Sequence, residues 1–171
     1  MSDVLIAPYD QAYADSVREL FIRVNRLLAP SRMKDAFEDY IAASLAEEID
    51  RIPAYYGERN GWFWIATIDQ QVVGMFGLEP SGPGAMELRR MYVDPDYRRR
   101  GIAQNMLQRA EAFCRDSHQS RLDLSTSEIQ SDAVAFYKSA GYQLVREEVA
   151  SEASNKTIGG GIRRYHFAKT L

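Results

Sequence analysis

The stretch ELRRMYVDPDYRRRGIAQ, residues 87–104, holds a strand, a sharp turn and the start of a helix. Met86 to Val93 reads as a strand, and Asp94-Pro95-Asp96 breaks it, because proline has no amide hydrogen to give to a ladder. Beyond Gly101, Ala103, Met106, Leu107, Ala110, Phe113 and Cys114 recur at three- and four-residue steps and line one helical face. A helix that starts directly after such a loop leaves its first amides unpaired and its positive dipole end open, which makes an anion site. Gly101 lets the backbone turn tightly, and Ala103 keeps side-chain bulk away from a ligand there. The segment is also basic: Arg89, Arg90, Arg98, Arg99 and Arg100 fall within twelve residues.

Working outward, Val4 to Pro8 reads as a short strand and Asp10 as a helix N-cap. Tyr13, Val17, Leu20, Phe21, Val24, Leu27 and Leu28 line one helical face, and Ala29-Pro30-Ser31 stops that helix. Phe37, Ile41, Leu45, Ile49 and Ile52 predict a second helix ending at Pro53. Trp62 to Ile68 and Val72 to Leu78 are β-branched and aromatic runs around Asp69-Gln70-Gln71, a hairpin signal. The cluster Pro80 to Gly84 predicts a loop.

Downstream, Arg121 to Ser125 reads as a strand, and Ser131 or Asp132 caps a helix through Ala140 with Gly141 at its C′ position. Tyr142 to Val149 and Arg163 to Thr170 read as strands around a polar stretch, Asn155 to Gly161, whose glycines predict a mobile hairpin tip. The order βααβββαβαββ predicts an α/β single domain over residues 1–171, with a mixed sheet and helices on both faces.

Composition bounds the chemistry. The chain has 171 residues, 46% hydrophobic and 26% charged, with formal net charge −3. That suffices for one sizeable core. No stretch approaches the ~20 apolar residues that span a bilayer, and MSDVLIAPYD lacks a basic region followed by an apolar one. The single Cys114 reads as a small buried hydrophobe, and with His118 and His166 far apart there is no metal-ligand spacing. The expectation is a cytoplasmic, metal-free protein with no membrane partner. Net acidity also argues against a nucleic-acid partner.

No G-x-G-x-x-G follows a strand and no G-K-[ST] is present, so the common nucleotide loops are excluded. What remains, Arg98-x-x-Gly101-x-Ala103, resembles the Q/R-x-x-G-x-G/A signature of the GCN5-related N-acetyltransferase (GNAT) superfamily, which binds the pyrophosphate of acetyl-CoA. The resemblance extends from about Trp62 to Glu147, through Glu87 in ELRRMYV to Tyr137, Gly141 and Tyr142 in AVAFYKSAGY. The stretches IDRIPAYYGERNGWFWIA and LSTSEIQSDAVAFY look most like the camello-type branch and its soluble bacterial relatives.

The resemblance implies an acyl-CoA N-acyltransferase fold. Its sheet has six to seven mostly antiparallel strands, and its central parallel pair, Met86–Val93 and Arg121–Ser125, splays apart. It implies acetyl-CoA as cosubstrate, no metal, and a primary amine of a small molecule or peptide as acceptor, in a monomer or homodimer. Backbone of Met91, Tyr92 and Val93 would meet pantetheine and the acetyl carbonyl. Amides of the loop and helix start, Arg98, Arg99, Arg100, Gly101, Ile102, Ala103 and Gln104, would hold pyrophosphate, while the arginine side chains neutralise diffuse charge including the 3′-phosphate. Ala133 and Gln130 would lie along the cofactor. Many relatives carry asparagine where this chain has Gln130, a longer amide that still donates and accepts.

Tyr137 would protonate the leaving thiolate, and Glu87, through water, would relay the amine proton. The acceptor pocket would be covered by Asn25 to Asp35 and the loop Glu79 to Gly84. Two rivals stand beside this reading. A non-catalytic CoA-binding or regulatory module would keep the cradle without the chemistry. A nucleic-acid binder would use the arginines with steep salt dependence.

Overall fold

The computed structural model describes residues 3–152, 154 and 156–171. Strands β1 (Leu5–Pro8), β2 (Trp62–Ile68), β3 (Gln71–Gly82), β4 (Ala85–Val93), β5 (Arg121–Ser127), β6 (Gln143–Ala150) and β7 (Ile162–Thr170) form one sheet, ordered β1-β2-β3-β4-β5-β7-β6. All neighbours are antiparallel except β4 and β5. This is the mixed, mostly antiparallel sheet expected.

Alternation along the strands divides the core in two. Phe63, Ile65 and Met75 pack beneath α1 (Ala14–Leu28), α2 (Lys34–Glu47) and α3 (Ile52–Glu58). Trp64, Ala66 and Phe76 point the other way, toward α4 (Ile102–Asp116) and α5 (Ser131–Ser139). Cys114 is fully buried in this second layer, and burial pushes its thiol up to about 11, as an inert core position requires. Among the described residues no helix is long and apolar enough to cross a membrane.

One irregularity shapes the molecule. Gly77 pairs with Arg89 and Met75 pairs with Tyr92, so Arg90 and Met91 together oppose Phe76. This bulge places Arg90 at φ 54, a left-handed conformation that non-glycine residues rarely adopt. A bulge bends its strand, and here the bend separates the parallel pair. β4 and β5 pair only from Ala85↔Arg121 to Leu88↔Leu124. Beyond that, Tyr92 and Val93 pair with β3 alone, and Ser125 to Ser127 pair with β7 alone. A wedge opens between two strand edges in the middle of the sheet.

Three expectations need correction. Pro53 does not end the second helix. α2 stops at Glu47, and Pro53 sits in the first turn of a third helix, where its missing amide hydrogen is no loss. Pro80 to Gly82 are not a loop but the irregular end of β3, closed by the short turn Pro83-Gly84. The stretch Asn155 to Gly161 is not a free hairpin tip. Asn155 itself lies outside the described residues, but Ile158 packs against the Met33–Phe37 cluster. A Cβ on Gly160 would lie 3.0 Å from Met33 Cε. The Asp69-Gln70 turn, by contrast, forms as expected, with φ 49 and 66.

Candidate active site

The strand–loop–helix unit is built around two acidic residues. Asp94 accepts from the Asp96 amide at 2.9 Å, and Arg23 on α1 reaches Asp94 and, at 3.6 Å, Asp96. With the loop pinned at that end, Arg99 takes φ 63 and Gly101 φ 76, and α4 starts without a side-chain cap. Nothing stands within 4 Å of a Cβ placed on Gly101, so the helix end is open. Arg98, Arg99 and Arg100 are exposed, and among the described residues none pairs with a carboxylate; Arg100 lies over the Tyr97 ring, 4.9 Å from its centre. Open amides, a helix dipole and three unpaired cations together suit a multiply charged anion.

The wedge between β4 and β5 is lined by Met91, Tyr92, Thr126, Gln130, Ala133 and Tyr137, among others. These include most of the non-loop residues singled out in the sequence. Val93 packs partly buried against the α4 layer. Tyr137 is 7% exposed and its hydroxyl makes no hydrogen bond to another described residue. Burial, and then the neighbouring Tyr92, raises its pKa well above the ordinary tyrosine value, so it is protonated throughout the physiological range. Gln130 is the N-terminal flanking residue of α5, and its side-chain oxygen accepts from Thr126 Oγ1 at 3.1 Å.

Glu87 lies at the paired end of the wedge, opposite both Glu79 on β3 and Asp123 on β5. This acidic row is partly neutralised by Lys156, whose Nζ is 3.1 Å from Glu79 and 3.7 Å from Glu87. Asn25 and Leu28 from α1, inside the expected 25–35 segment, and Phe37 and Tyr40 from α2, beyond it, line the wedge. The expected 79–84 cover is a strand end and turn; none of it lines the wedge, and Ser81 lines an adjoining cavity. Lys156 and Ile158, from the connection between β6 and β7, take that place.

Sequence reasoning missed the group that holds the wedge open. Glu48, fully buried after α2, receives Arg90 Nε at 3.0 Å, Arg90 at a second oxygen at 3.1 Å, Arg89 at 3.0 Å and the Tyr56 hydroxyl at 2.7 Å. Arg90 also donates to the Tyr40 hydroxyl at 2.7 Å, and Arg89 donates to the Tyr55 hydroxyl. Burial alone would raise the Glu48 pKa. Arg90 and Arg89 outweigh it and hold the carboxyl below its ordinary value. Two of the five clustered arginines are therefore internal and clamp the bulge. The available signal was Glu48 itself, an acid on the same stripe as Ile41, Leu45 and Ile52. Tyr92, raised to about 12 by burial and by Tyr40 against the pull of Arg90, completes the cluster at the wedge.

Comparison with known proteins agrees with this fold. Human N-acetyltransferase 8 is 32% identical over 116 residues, 64% of this chain and 51% of that protein. The N-acetylaspartate synthetase of Danio rerio is 33% identical over 110 residues, 63% of this chain and 39% of that protein. The chain thus spans about half the length, or less, of these curated relatives. The former belongs to the branch that the sequence resembles. A solved PaiA N-acetyltransferase from Thermoplasma acidophilum, in complex with coenzyme A, superposes with TM-score 0.75 over 99% of each chain at 17% identity, a likeness of fold. A family model described as "Acetyltransferase (GNAT) family" matches residues 21–142, and the chain belongs to that family.

Proposed function

We propose that this chain transfers the acetyl group of acetyl-CoA to the primary amine of a small molecule or peptide. One observation carries the reading: the wedge opened by the Arg90 bulge brings Tyr137 and Glu87 into one cavity, and β4, which edges it, runs on through the 94–101 loop into the uncapped start of α4. In this reading the amides of Gly101 to Gln104 hold pyrophosphate, with Arg98 to Arg100 nearby. The unpaired edge of β4 at Met91 to Val93 meets the pantetheine arm and polarises the acetyl carbonyl, and Ala133 and Gln130 flank it. Acetyl-CoA supplies an activated thioester, and the acceptor amine forms the new C–N bond as the C–S bond breaks.

The chain's own groups then handle two protons. Tyr137, protonated and without a hydrogen-bond partner among the described residues, donates to the departing thiolate. An amine of pKa ~10.4 is unprotonated in only about one part in 2,500 at pH 7, so a proton acceptor helps. Glu87, at the other end of the wedge, takes that proton through water.

Substituting Gly101 tests the cradle separately from the chemistry. Valine at φ 76 carries a strain of roughly 1–2 kcal/mol. Gly101→Val is expected to weaken acetyl-CoA binding about tenfold by calorimetry, a change of about 1.4 kcal/mol. The activity itself is tested by following free CoA release spectrophotometrically across a library of amines. Release that depends on an added amine supports the proposal. Acetyl-CoA binding with no amine-dependent release would favour a non-catalytic module.

A further inference from the structure

Resting on that proposed transfer, we infer that the acceptor is an amine that also carries a carboxylate, and that Arg164 is the residue that reads it. Arg164 lines both the wedge and a second, larger cavity that adjoins it, and the two share Glu87, Leu124, Ser125, Lys156 and Arg164. The second cavity has a polar floor in which nearly every basic side chain is matched. Arg121 pairs with Asp123 at 2.9 Å, Arg146 with Glu148 at 3.2 Å, His166 with Glu148 at 2.7 Å, and Lys156 with Glu79 and Glu87.

Arg164 differs. It is half-buried, its guanidinium donates to Ser125 Oγ at 3.0 Å, and among the described residues it has no carboxylate partner. A half-buried guanidinium that keeps most of its five donors unused is poised for a planar anion, and a carboxylate matches its fork.

Position separates this cation from the cofactor's phosphates. Ser125, which holds Arg164, points to the opposite sheet face from Leu122 and Leu124, and those leucines pack in the α4 layer. Arg164 therefore lies across the sheet from the α4 start and its arginines, on the face covered by α1 and α2. Charge is also divided along that face. Glu87, the proposed acceptor of the amine proton, lies at the other end beside its cross-strand neighbour Asp123, where Lys156 and Arg121 partly neutralise the acids. Ser125 is two residues farther along β5, about 7 Å. A small molecule with an amine at one end and a carboxylate nearby, as in an amino acid, spans these two sites.

The test compares matched acceptors, amino acids against their methyl esters and the corresponding decarboxylated amines, by CoA release. Wild type is expected to favour the carboxylates at least tenfold in kcat/KM. Arg164→Gln is expected to lose that preference through a higher KM for the carboxylates, bringing acids and esters to similar kcat/KM, and Arg164→Lys to recover part of it. Calorimetric titration of acetyl-CoA into Arg164→Gln should match wild type, which shows that the variant is folded and its cofactor site intact. Equal use of esters and acids by wild type, or a preference that survives Arg164→Gln, would overturn the inference while leaving the acetyltransferase reading in place. Absence of release with every amine, despite acetyl-CoA binding, would overturn both.

Discussion

Replacing Glu48 with alanine is expected to lower the unfolding free energy by about 3–5 kcal/mol, the usual consequence of removing one side of a buried ion pair. The effect is large because this one carboxylate faces two internal guanidinium groups, with Arg89 and Arg90 only 4% and 3% exposed. Glu79 still neighbours Arg89 at 3.5 Å, and Tyr40 still accepts from Arg90, but neither replaces the lost charge beside Arg90. For a chain of this length the change corresponds to a melting point lower by roughly 6–20 °C.

Urea titration checks it, with a shifted midpoint and an unchanged slope as the expected pattern. The pH dependence has a definite sign. The folded Glu48 pKa is lowered, so its contribution is full above the unfolded carboxylate value of about 4.3 and disappears as pH falls through the folded value. Wild type and Glu48→Gln should therefore converge in stability in strong acid and differ most near neutrality. Because Arg90 forms the bulge that parts β4 from β5, acetyl-CoA affinity should fall with the stability.

Replacing Tyr137 with phenylalanine is expected to reduce kcat by about 10²-fold or more, the range for loss of a positioned general acid. Folding should be little affected. The ring contacts with Phe136, Tyr142 and Phe167 remain, and the hydroxyl has no hydrogen bond within the described protein to lose. Acetyl-CoA affinity should stay within about twofold. The raised pKa also bears on the wild-type rate profile. A tyrosine that keeps its proton above the ordinary value near 10 gives no alkaline loss of rate below that pH. Unchanged turnover in Tyr137→Phe would remove Tyr137 as the acid.

The legible parts of the sequence were those with local causes. Gly101 with its flanking arginines, the apolar stripe of α4 and the Gly141 stop are each set by neighbours within a few residues, and all three appear in the fold. The misreadings came where tertiary partners decide. Pro53 fits either a helix end or a helix start, and the choice of start follows from the separate burial of Ile52, Tyr55 and Tyr56. Pro80 to Gly82 has loop composition, yet Gly82 pairs with Ala85 and extends β3. Arg89 and Arg90 read as strand residues with no stated partner because Glu48 lies some 40 residues earlier in the chain. Arg164 had no local signal at all. Its significance comes from what surrounds it in space, a floor of basic side chains already paired.

The proposed function requires the wedge and the α4 start to form one site for a single cofactor. Calorimetric titration of the protein with acetyl-CoA tests this most directly. One saturable site per chain, weakened about tenfold in Gly101→Val and left intact in Tyr137→Phe, is the predicted result. Absence of binding, or binding indifferent to Gly101→Val, would contradict it.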